Sequence, residues 1–248
     1  MVDELKLLKG SPIYVDKIAI YPITIGEITD DLGIDEYNLY LSLISISKEQ
    51  YEITNEEITN FDIVCQICFT DNKLNDGREL KTVYLEALKQ FLRKEVNFVV
   101  DDKYAYLVVN NIDEDDYYFI SNSNYDQIIE IIKYQNCLIN ICEEDQNNPA
   151  DEKTKQLLEK QKRARELLAK AKKQGDGEIL TLADLVSILI SNGNGITPFN
   201  VWDMNFYMFN NQFNRMKMLD EYNINVRSLL AGAKAEDINL KHWMSKVD

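Results

Sequence analysis

The sequence lacks the residues and runs on which most catalytic and membrane motifs depend. Its 248 residues include one histidine, His242, which excludes a mechanism that needs two imidazoles. No serine stands in a nucleophile-elbow pattern, and no glycine-rich phosphate loop of the Walker or Rossmann type occurs. No apolar run approaches the roughly 18 residues that span a bilayer, and the first residues lack a secretory-signal pattern. We therefore expect a cytoplasmic protein that is not an enzyme.

Basic residues are also scarce, with 27 Lys and Arg against 42 Asp and Glu and a formal net charge of −15. This excess of acid argues against a general affinity for nucleic acid or for anionic membranes. The charge is uneven, because residues 1–150 carry 12 basic and 29 acidic side chains whereas residues 151–174 carry 9 and 4. The basic segment could dock on the acidic part of the chain, meet an acidic partner, or simply be a solvated helix face.

The four cysteines form two local pairs, Cys65 with Cys68 and Cys137 with Cys142. The spacing of the first pair also occurs in zinc sites and thiol redox motifs. Both pairs lie in apolar stretches without the glycine and proline turns of a zinc knuckle. We interpret them as reduced, buried thiols and expect no cofactor, with zinc and redox chemistry as the alternatives.

Two acidic segments superficially suggest metal binding. The run Asp113–Asp116 could bind a divalent cation or serve a carboxylate-dependent hydrolase, although such runs are usually solvated turns. The loop Asp71–Gly77 resembles the start of a calcium loop, but Lys73 and Leu74 occupy positions that require oxygen ligands. We expect no metal at either segment.

The periodicities predict an α+β fold that is predominantly helical. Thr24 and Glu27 have the form of a capping box, and Gly33 is suited to end the helix that follows. Thr54 and Glu57 repeat the capping signal before a further helix. The remaining predicted elements are strands within 11–23, 96–100, 104–109 and 117–120 and helices over 35–46, 80–91 and 124–136.

These elements predict three parts: an acidic α+β domain over 1–145, a basic linker helix over 146–177, and a helical C-terminal module over 178–248. In the module, Thr181 is the predicted cap of a helix over 182–190. Thr197 and Pro198 offer an N-cap and a first helical residue for a long helix that continues to Gly232.

The most informative feature is a stripe of large apolar side chains at helical spacing near the C-terminus. Its members are Trp202, Phe206, Phe209, Phe213 and Met216, and Tyr207, Met208 and Met218 lie beside it. Burying a large side chain contributes roughly 1.5–3 kcal/mol, so five of them should not stay exposed. The stripe is therefore either the core of the C-terminal module or a groove for a protein partner.

The same region resembles a known group of proteins. The strings NVWDMNFYMFNNQFNRM (200–216), DEYNINVRSLLAGA (220–233) and LKHW (240–243) resemble the C-terminal part of tail-assembly proteins from long-tailed bacteriophages and prophages of Gram-positive bacteria. IYPITIGEI (20–28) and YDQIIEIIKYQNC (125–137) are similar to other stretches of that group.

The resemblance implies a tail-assembly chaperone of the host cytoplasm. Such a protein is not an enzyme; it shields the helical tape-measure protein and helps recruit tail-tube subunits. The resemblance also makes Lys172–Lys173 an attractive junction between a short and a long product of ribosomal slippage. A virion structural protein, such as a baseplate or tail-completion subunit, is the alternative, and a homo-oligomer is compatible with either.

Overall fold

The fold was analysed in a computed structural model of the chain. It describes residues 2–48, 55, 57–101, 104–110, 117–138, 180–192, 195–234, 238 and 240–246. The fold is α+β, with small antiparallel sheets and a helical C-terminal region, which confirms the predicted class. The chain forms two compact units, the first from Met1–Leu138 with Pro198–Asn211 and the second from Ile139–Thr197 with Gln212–Asp248.

The described residues up to Leu138 form six helices and five strands. In chain order these are α1 (Glu4–Lys9), β1 (Ile13–Val15), β2 (Ile18–Ile20), the single turn α2 (Ile25–Glu27), a π turn (Ile28–Leu32), α3 (Ile34–Ile44), α4 (Asn60–Phe69), α5 (Leu80–Leu92), β3 (Glu95–Val100), β4 (Ala105–Asn110), β5 (Tyr117–Ile120) and α6 (Tyr125–Gln135). The predicted strands and helices of this part are present within a few residues of their expected bounds.

The strands form two separate antiparallel sheets. Strands β1 and β2 pair as a hairpin with Ile13 opposite Ile20. Strands β3, β4 and β5 form the second sheet in that order, with Phe98 opposite Leu107 and Leu107 opposite Ile120. Because side chains alternate along a strand, one face of this sheet carries Leu107, Val109 and Ile120, all of which are fully buried.

Helix α5 lies at the centre of the first unit. It contacts α3, α4, β2 and β3, and α6 contacts α4 and the β1–β2 hairpin. The core side chains of α5 are fully buried: Val83, Tyr84, Ala87, Leu88, Phe91 and Leu92. The amide of Tyr21 donates to the carbonyl of Phe91 at 2.8 Å, which joins the end of α5 to the chain after β2.

Three caps decide where the helices of the first unit begin and end. Thr24 and Glu27 form the predicted capping box, and Gly33, at φ +79°, ends the π turn as expected. The predicted cap at Thr54 lies outside the described residues, and the helix that it was to begin starts later. Thr59 and Asp62 form the capping box of α4 instead, because Asp is equally able to accept the amide of the N-cap residue.

The C-terminal region contains α7 (Leu182–Ser191), a 3₁₀ turn (Val201–Asp203) and α8 (Phe206–Leu230). Thr181 caps α7 as predicted, in a capping box with Asp184. The prediction that α8 starts at Thr197 and Pro198 is wrong. Met204 is extended, at φ −73° and ψ 131°, and the side chain of Asn205 accepts the amide of Met208 at 2.8 Å, so the helix starts after Asn205.

The two compact units group one segment differently from the predicted three-part division, which itself stays a prediction. Pro198–Asn211 groups with residues 1–138, whereas the sequence pattern assigned it to the C-terminal module. The reason is a set of backbone and side-chain contacts with the start of the chain, described below. The predicted linker helix over 146–177, the acidic run Asp113–Asp116 and Cys142 lie outside the described residues, so these predictions stay predictions.

Candidate protein-binding surfaces

The structure separates the predicted aromatic stripe into residues with different degrees of burial. Phe209 and Met216 are buried, at 2% and 7% exposed. Trp202 is 38% exposed and lies in the 3₁₀ turn, outside α8. The others are partly exposed: Phe206, Tyr207, Met208 and Phe213. The stripe is therefore neither a uniform core nor a uniformly open groove.

The first half of the stripe belongs to a segment, Val201–Phe209, which we call the docked motif. Its backbone pairs with the chain before α2: the amide of Ile25 donates to the carbonyl of Met204 at 2.9 Å, and the amide of Phe206 donates to the carbonyl of Ile23 at 3.0 Å. The two bonds flank an antiparallel bridge between Thr24 and Asn205. The docked motif thus adds a short extended segment to the first unit.

Asn205 is the polar centre of the docked motif and is 4% exposed. Its Nδ2 donates to the carbonyl oxygen of Leu7 at 3.1 Å, and its Oδ1 accepts from the amide of Met208 at 2.8 Å. The Leu7 carbonyl lies near the end of α1, a helix of which the sequence patterns gave no sign. A buried amide is tolerated because it is bonded at both ends.

Two glycines allow the docked motif to approach the first unit closely. A Cβ on Gly10 would lie 2.9 Å from Nδ2 of Asn205, and Gly10 also has φ +75°, which disfavours other residues. A Cβ on Gly26 would lie 3.1 Å from the backbone oxygen of Trp202. A side chain at Gly10 would therefore displace the amide of Asn205, and one at Gly26 would push the backbone at Trp202 away.

Aromatic contacts continue the interface into the first turn of α8. The rings of Tyr37 and Phe206 are 5.6 Å apart, and those of Phe206 and Phe209 are 6.5 Å apart. The hydroxyl of Tyr37 donates to Oδ1 of Asn136 at 2.8 Å, and burial raises the pKa of this tyrosine well above its usual range. Tyr37 is thus a neutral, fixed platform for Phe206.

In the second unit, the later turns of α8 contact the C-terminal segment. Arg215 donates to the carbonyl oxygens of Trp243 and Ser245. The rings of Tyr222 and His242 lie 5.0 Å apart. Ile224 and Leu230 remain exposed on this part of the helix. The sole histidine therefore serves an aromatic contact at the protein surface.

A second candidate surface, the aromatic groove, lies in the first unit between α4 and the ends of β4 and β5. Its volume is about 890 Å³, and its aromatic lining consists of Phe61, Phe69, Tyr104, Tyr106 and Phe119. Three of these rings are more than half exposed: Phe69 at 58%, Tyr104 at 70% and Phe119 at 56%. Asp62, Asp101 and the turn Ser121–Ser123 also line it. An open groove with several large apolar rings is typical of a site for another macromolecule.

The aromatic groove continues onto the outer face of the three-stranded sheet. Tyr106, Val108, Tyr117 and Phe119 lie on the face opposite the buried one. The rings of Tyr106 and Phe119 meet edge to face at 5.5 Å. The solvent face of an antiparallel sheet usually carries polar residues, so this face is unusually apolar. The predictions from sequence did not include this face, although aromatic residues alternate at 104 and 106 and again at 117 and 119.

The described thiols lack the properties of reactive or metal-binding cysteines. Burial raises the pKa of Cys65 to about 11 and that of Cys68 to about 12, and burial raises the pKa of Cys137 to about 11. Thiols in this range stay protonated at neutral pH, whereas metal binding and nucleophilic attack need the thiolate. Within the described ranges, no three His, Cys, Asp or Glu side chains come together as a metal site requires.

In the loop Asp71–Gly77, the acidic side chain of Asp76 forms an ion pair with Arg78, the residue that follows the loop. Arg78 donates to both carboxylate oxygens of Glu36, at 2.6 and 2.9 Å, and its Nε donates to Asp76 at 2.8 Å. The hydrogen bond from Arg78 lowers the pKa of Glu36. Arg78 therefore ties α3 to the loop that precedes α5.

No described helix combines the length and apolar character that crossing a membrane requires.

Comparison with family models gives a match that covers the C-terminal part of the chain. Residues 170–248 match the family described as the YomV second domain, which is derived from phage. The matched range includes the docked motif, all of α8 and the LKHW string. Searches of curated proteins and of solved structures return no match. The C-terminal part of this chain is thus similar to a phage-associated domain.

Proposed function

We propose that this protein is a tail-assembly chaperone of a long-tailed phage or prophage that acts in the host cytoplasm by binding the tape-measure protein and helping to recruit tail-tube subunits. The similarity of residues 170–248 to a phage-associated domain supports the phage context. The strings that resemble tail-assembly proteins, at 200–216, 220–233 and 240–243, fall within the same range.

The aromatic groove is the observation that carries the binding role. Phe69, Tyr104 and Phe119 present large apolar rings to solvent on a unit that is otherwise rich in acidic residues. Rings of this size contribute most of the free energy at protein interfaces when a partner removes them from water. An amphipathic helix with an apolar stripe and flanking basic side chains complements such a groove, and a long helical tape-measure protein offers many such stripes.

A binding role without catalysis also fits the chemistry of the described side chains. The cysteines at 65, 68 and 137 hold their protons because burial raises their pKa values. The tyrosine pair Tyr84 and Tyr125, whose hydroxyl oxygens are 2.6 Å apart, lies in the core, and both side chains are buried. These groups stabilise the fold and leave the exposed rings as the functional feature.

Co-expression with the tape-measure protein of the phage or prophage that encodes this chain tests the proposal. The full-length chain is expected to co-purify through a tag on the tape-measure protein and to keep that protein in the supernatant. Failure of the full-length chain to co-purify, with both proteins expressed and the chain folded by circular dichroism, would contradict the proposal.

Mass spectrometry of purified phage particles separates this role from that of a virion structural protein. An assembly chaperone leaves the tail once the tube encloses the tape measure, so its peptides should be absent from finished particles. Peptides in amounts comparable to those of tail proteins would instead favour a baseplate or tail-completion subunit.

A further inference from the structure

The docked motif contacts the first unit in the manner of a bound peptide. Its backbone adds to the segment before α2 through two hydrogen bonds, Ile25 to Met204 at 2.9 Å and Phe206 to Ile23 at 3.0 Å. Backbone pairing of this kind supplies affinity that does not depend on side-chain identity. The two hydrogen bonds also fix which residues of the docked motif lie opposite which residues of the segment before α2.

Apolar side chains anchor the docked motif on both sides of this pairing. Val201 is fully buried, Met204 is 6% exposed and Phe209 is 2% exposed. Their spacing places one anchor in the 3₁₀ turn, one in the extended segment and one in the first turns of α8. Three buried anchors within nine residues match the density of contacts at the centre of a protein interface.

The buried side-chain amide of Asn205 makes the surface selective for an asparagine at this position of the motif. The amide of Asn205 must donate to the Leu7 carbonyl and accept the Met208 amide. A residue without this donor would remove one of the two hydrogen bonds that the Leu7 carbonyl accepts, the other coming from the amide of Gly10. A charged residue would be buried without a partner, so both kinds of residue are disfavoured. Gly10 and Gly26 complete the complementary surface, because a side chain at either would meet the motif.

The docked motif is separated from the rest of the first unit by a long stretch of chain. Residues 139–197 connect Leu138 to Pro198, and the free-energy cost of closing so long a loop rises only slowly with its length. The contacts are all non-covalent and lie within a single short segment. Nothing in their geometry requires that the segment come from the same molecule.

We propose that the surface formed by the end of α1, the segment Ile23–Gly26 and Tyr37 recognises the docked motif as a linear motif, and that it accepts this motif from a second copy of the chain. Exchange then yields a domain-swapped dimer. The inference does not depend on the proposed chaperone function. The intact chain fills its own surface first because the tether raises the effective concentration of its own motif.

Two full-length variants test this by complementation. Met204→Asp would bury a charge in the docked state and so blocks the motif, leaving the recognition surface intact. Gly26→Leu fills the space occupied by the backbone oxygen of Trp202 and so blocks the surface, leaving the motif intact; leucine is also a better helix former than glycine. The matched control carries both substitutions in one chain.

The two single variants, when mixed, are expected to form a 1:1 complex of twice the chain mass in light scattering after gel filtration. The Met204→Asp chain mixed with the doubly substituted chain should remain monomeric, because neither then offers a usable motif. A dissociation constant at least tenfold lower for the first mixture supports the inference. Equal behaviour of the two mixtures, with all chains folded by circular dichroism, overturns it.

A second measurement decides the matter if either substitution unfolds the chain. A protease site inserted within residues 146–177 allows the otherwise unaltered protein to be cut after purification. The two pieces should then co-elute, and the same cut protein carrying Asn205→Ala should release its C-terminal piece at a concentration at least tenfold higher. Pieces of the unaltered protein that separate at micromolar concentration overturn the inference.

Discussion

The side chain of Asn205 donates a hydrogen bond to the backbone carbonyl of Leu7 at 3.1 Å, across 198 positions of sequence. The same side chain accepts the amide of Met208 at the start of α8. One amide therefore joins the end of the first helix to the start of the last. The bond to Leu7 is buried and the bond from Met208 is partly buried. Loss of the Asn205 amide would therefore leave the Met208 amide without its partner in a place that water reaches poorly.

Replacing Asn205 with alanine is expected to lower the free energy of unfolding by about 1.5–2.5 kcal/mol. Loss of a helix cap costs about 1 kcal/mol. Loss of the hydrogen bond to the Leu7 carbonyl, which still accepts from the amide of Gly10, adds roughly 0.5–1.5 kcal/mol. Urea unfolding followed by circular dichroism measures the change. Asn223→Ala is the control, because Asn223 is exposed on the same helix and should cost under about 0.5 kcal/mol. Equal effects of the two substitutions would contradict the role of the Asn205 amide.

Gly10→Ala is expected to destabilise the protein more than Gly77→Ala does. Both glycines have positive φ, at 75° and 88°, so both substitutions carry backbone strain of roughly 1–2 kcal/mol. Only at Gly10 would the new methyl group approach Asn205, at 2.9 Å, whereas nothing lies within 4 Å at Gly77. The difference between their unfolding free energies isolates the contact.

A double-mutant cycle of Gly10→Ala with Asn205→Ala checks this assignment. Once the amide is gone, the alanine methyl group has room, so the combined loss should be smaller than the sum by about 0.5–3 kcal/mol. Additive losses would mean that the methyl group does not meet Asn205.

Most of the described helices and strands could be predicted because their signals are local. The capping boxes at Thr24 and Thr181 need only residues three positions apart, and the β3–β4 hairpin needs two neighbouring apolar runs. The start of α8 could not be predicted in this way. Thr197 and Pro198 form a good local start signal, yet the pairing of Thr24 with Asn205 holds Met204 extended. A contact between residues so distant in sequence outweighs the local preference.

The candidate surfaces show the same difference between features with a local sequence signal and features that depend on contacts between distant residues. The stripe around Phe209 was visible as a helical period, but its spacing alone does not show that the start of the chain covers its first half. Periodicity shows that a face is apolar and leaves open what lies against it. The aromatic groove has no contiguous signal, because Phe69, Tyr104 and Phe119 come from three elements. Its residues meet only after the sheet and α4 have folded.

Phe209→Ala is expected to destabilise the protein by about 3–5 kcal/mol, as for a fully buried phenylalanine. Phe213→Ala should cost less, about 1–2 kcal/mol, because Phe213 is partly exposed and one of its contacts is with the Lys217 ammonium, 6.0 Å from the ring centre. Urea unfolding of each variant measures the two losses. A larger loss for Phe213→Ala than for Phe209→Ala would contradict this assignment, because it would make Phe213 the more deeply buried of the two side chains.

Tyr104→Ser together with Phe119→Ser should weaken binding to the tape-measure protein at least tenfold while changing stability by less than about 1 kcal/mol. Both rings are more than half exposed, so their removal costs little in the free chain. Tyr14→Ser is the matched control, since Tyr14 is 59% exposed on β1 and does not line the groove. Titration calorimetry measures the affinities. Equal binding by the groove variant and the control would exclude the aromatic groove as the site.

The rate at which Cys65 is alkylated should show that its thiol is protonated at pH values near neutrality. Burial, with a smaller contribution from Asp62, raises its pKa to about 11, so at pH 8 about one molecule in a thousand carries the reactive thiolate. The rate of iodoacetamide labelling, followed by mass spectrometry of the Cys65 peptide, should therefore rise about tenfold per pH unit from pH 8 to pH 10.

The protein unfolded in urea provides the control for this profile, because its labelling rate should level off above about pH 9, as for an ordinary thiol. Asp62→Asn in the folded chain should speed labelling at pH 8, since it removes the neighbouring negative charge and so lowers the pKa. A folded-state profile that levels off near pH 8 would instead reveal a thiolate stabilised by its surroundings. In that case the zinc and redox alternatives for the Cys65–Cys68 pair would regain support over a structural role.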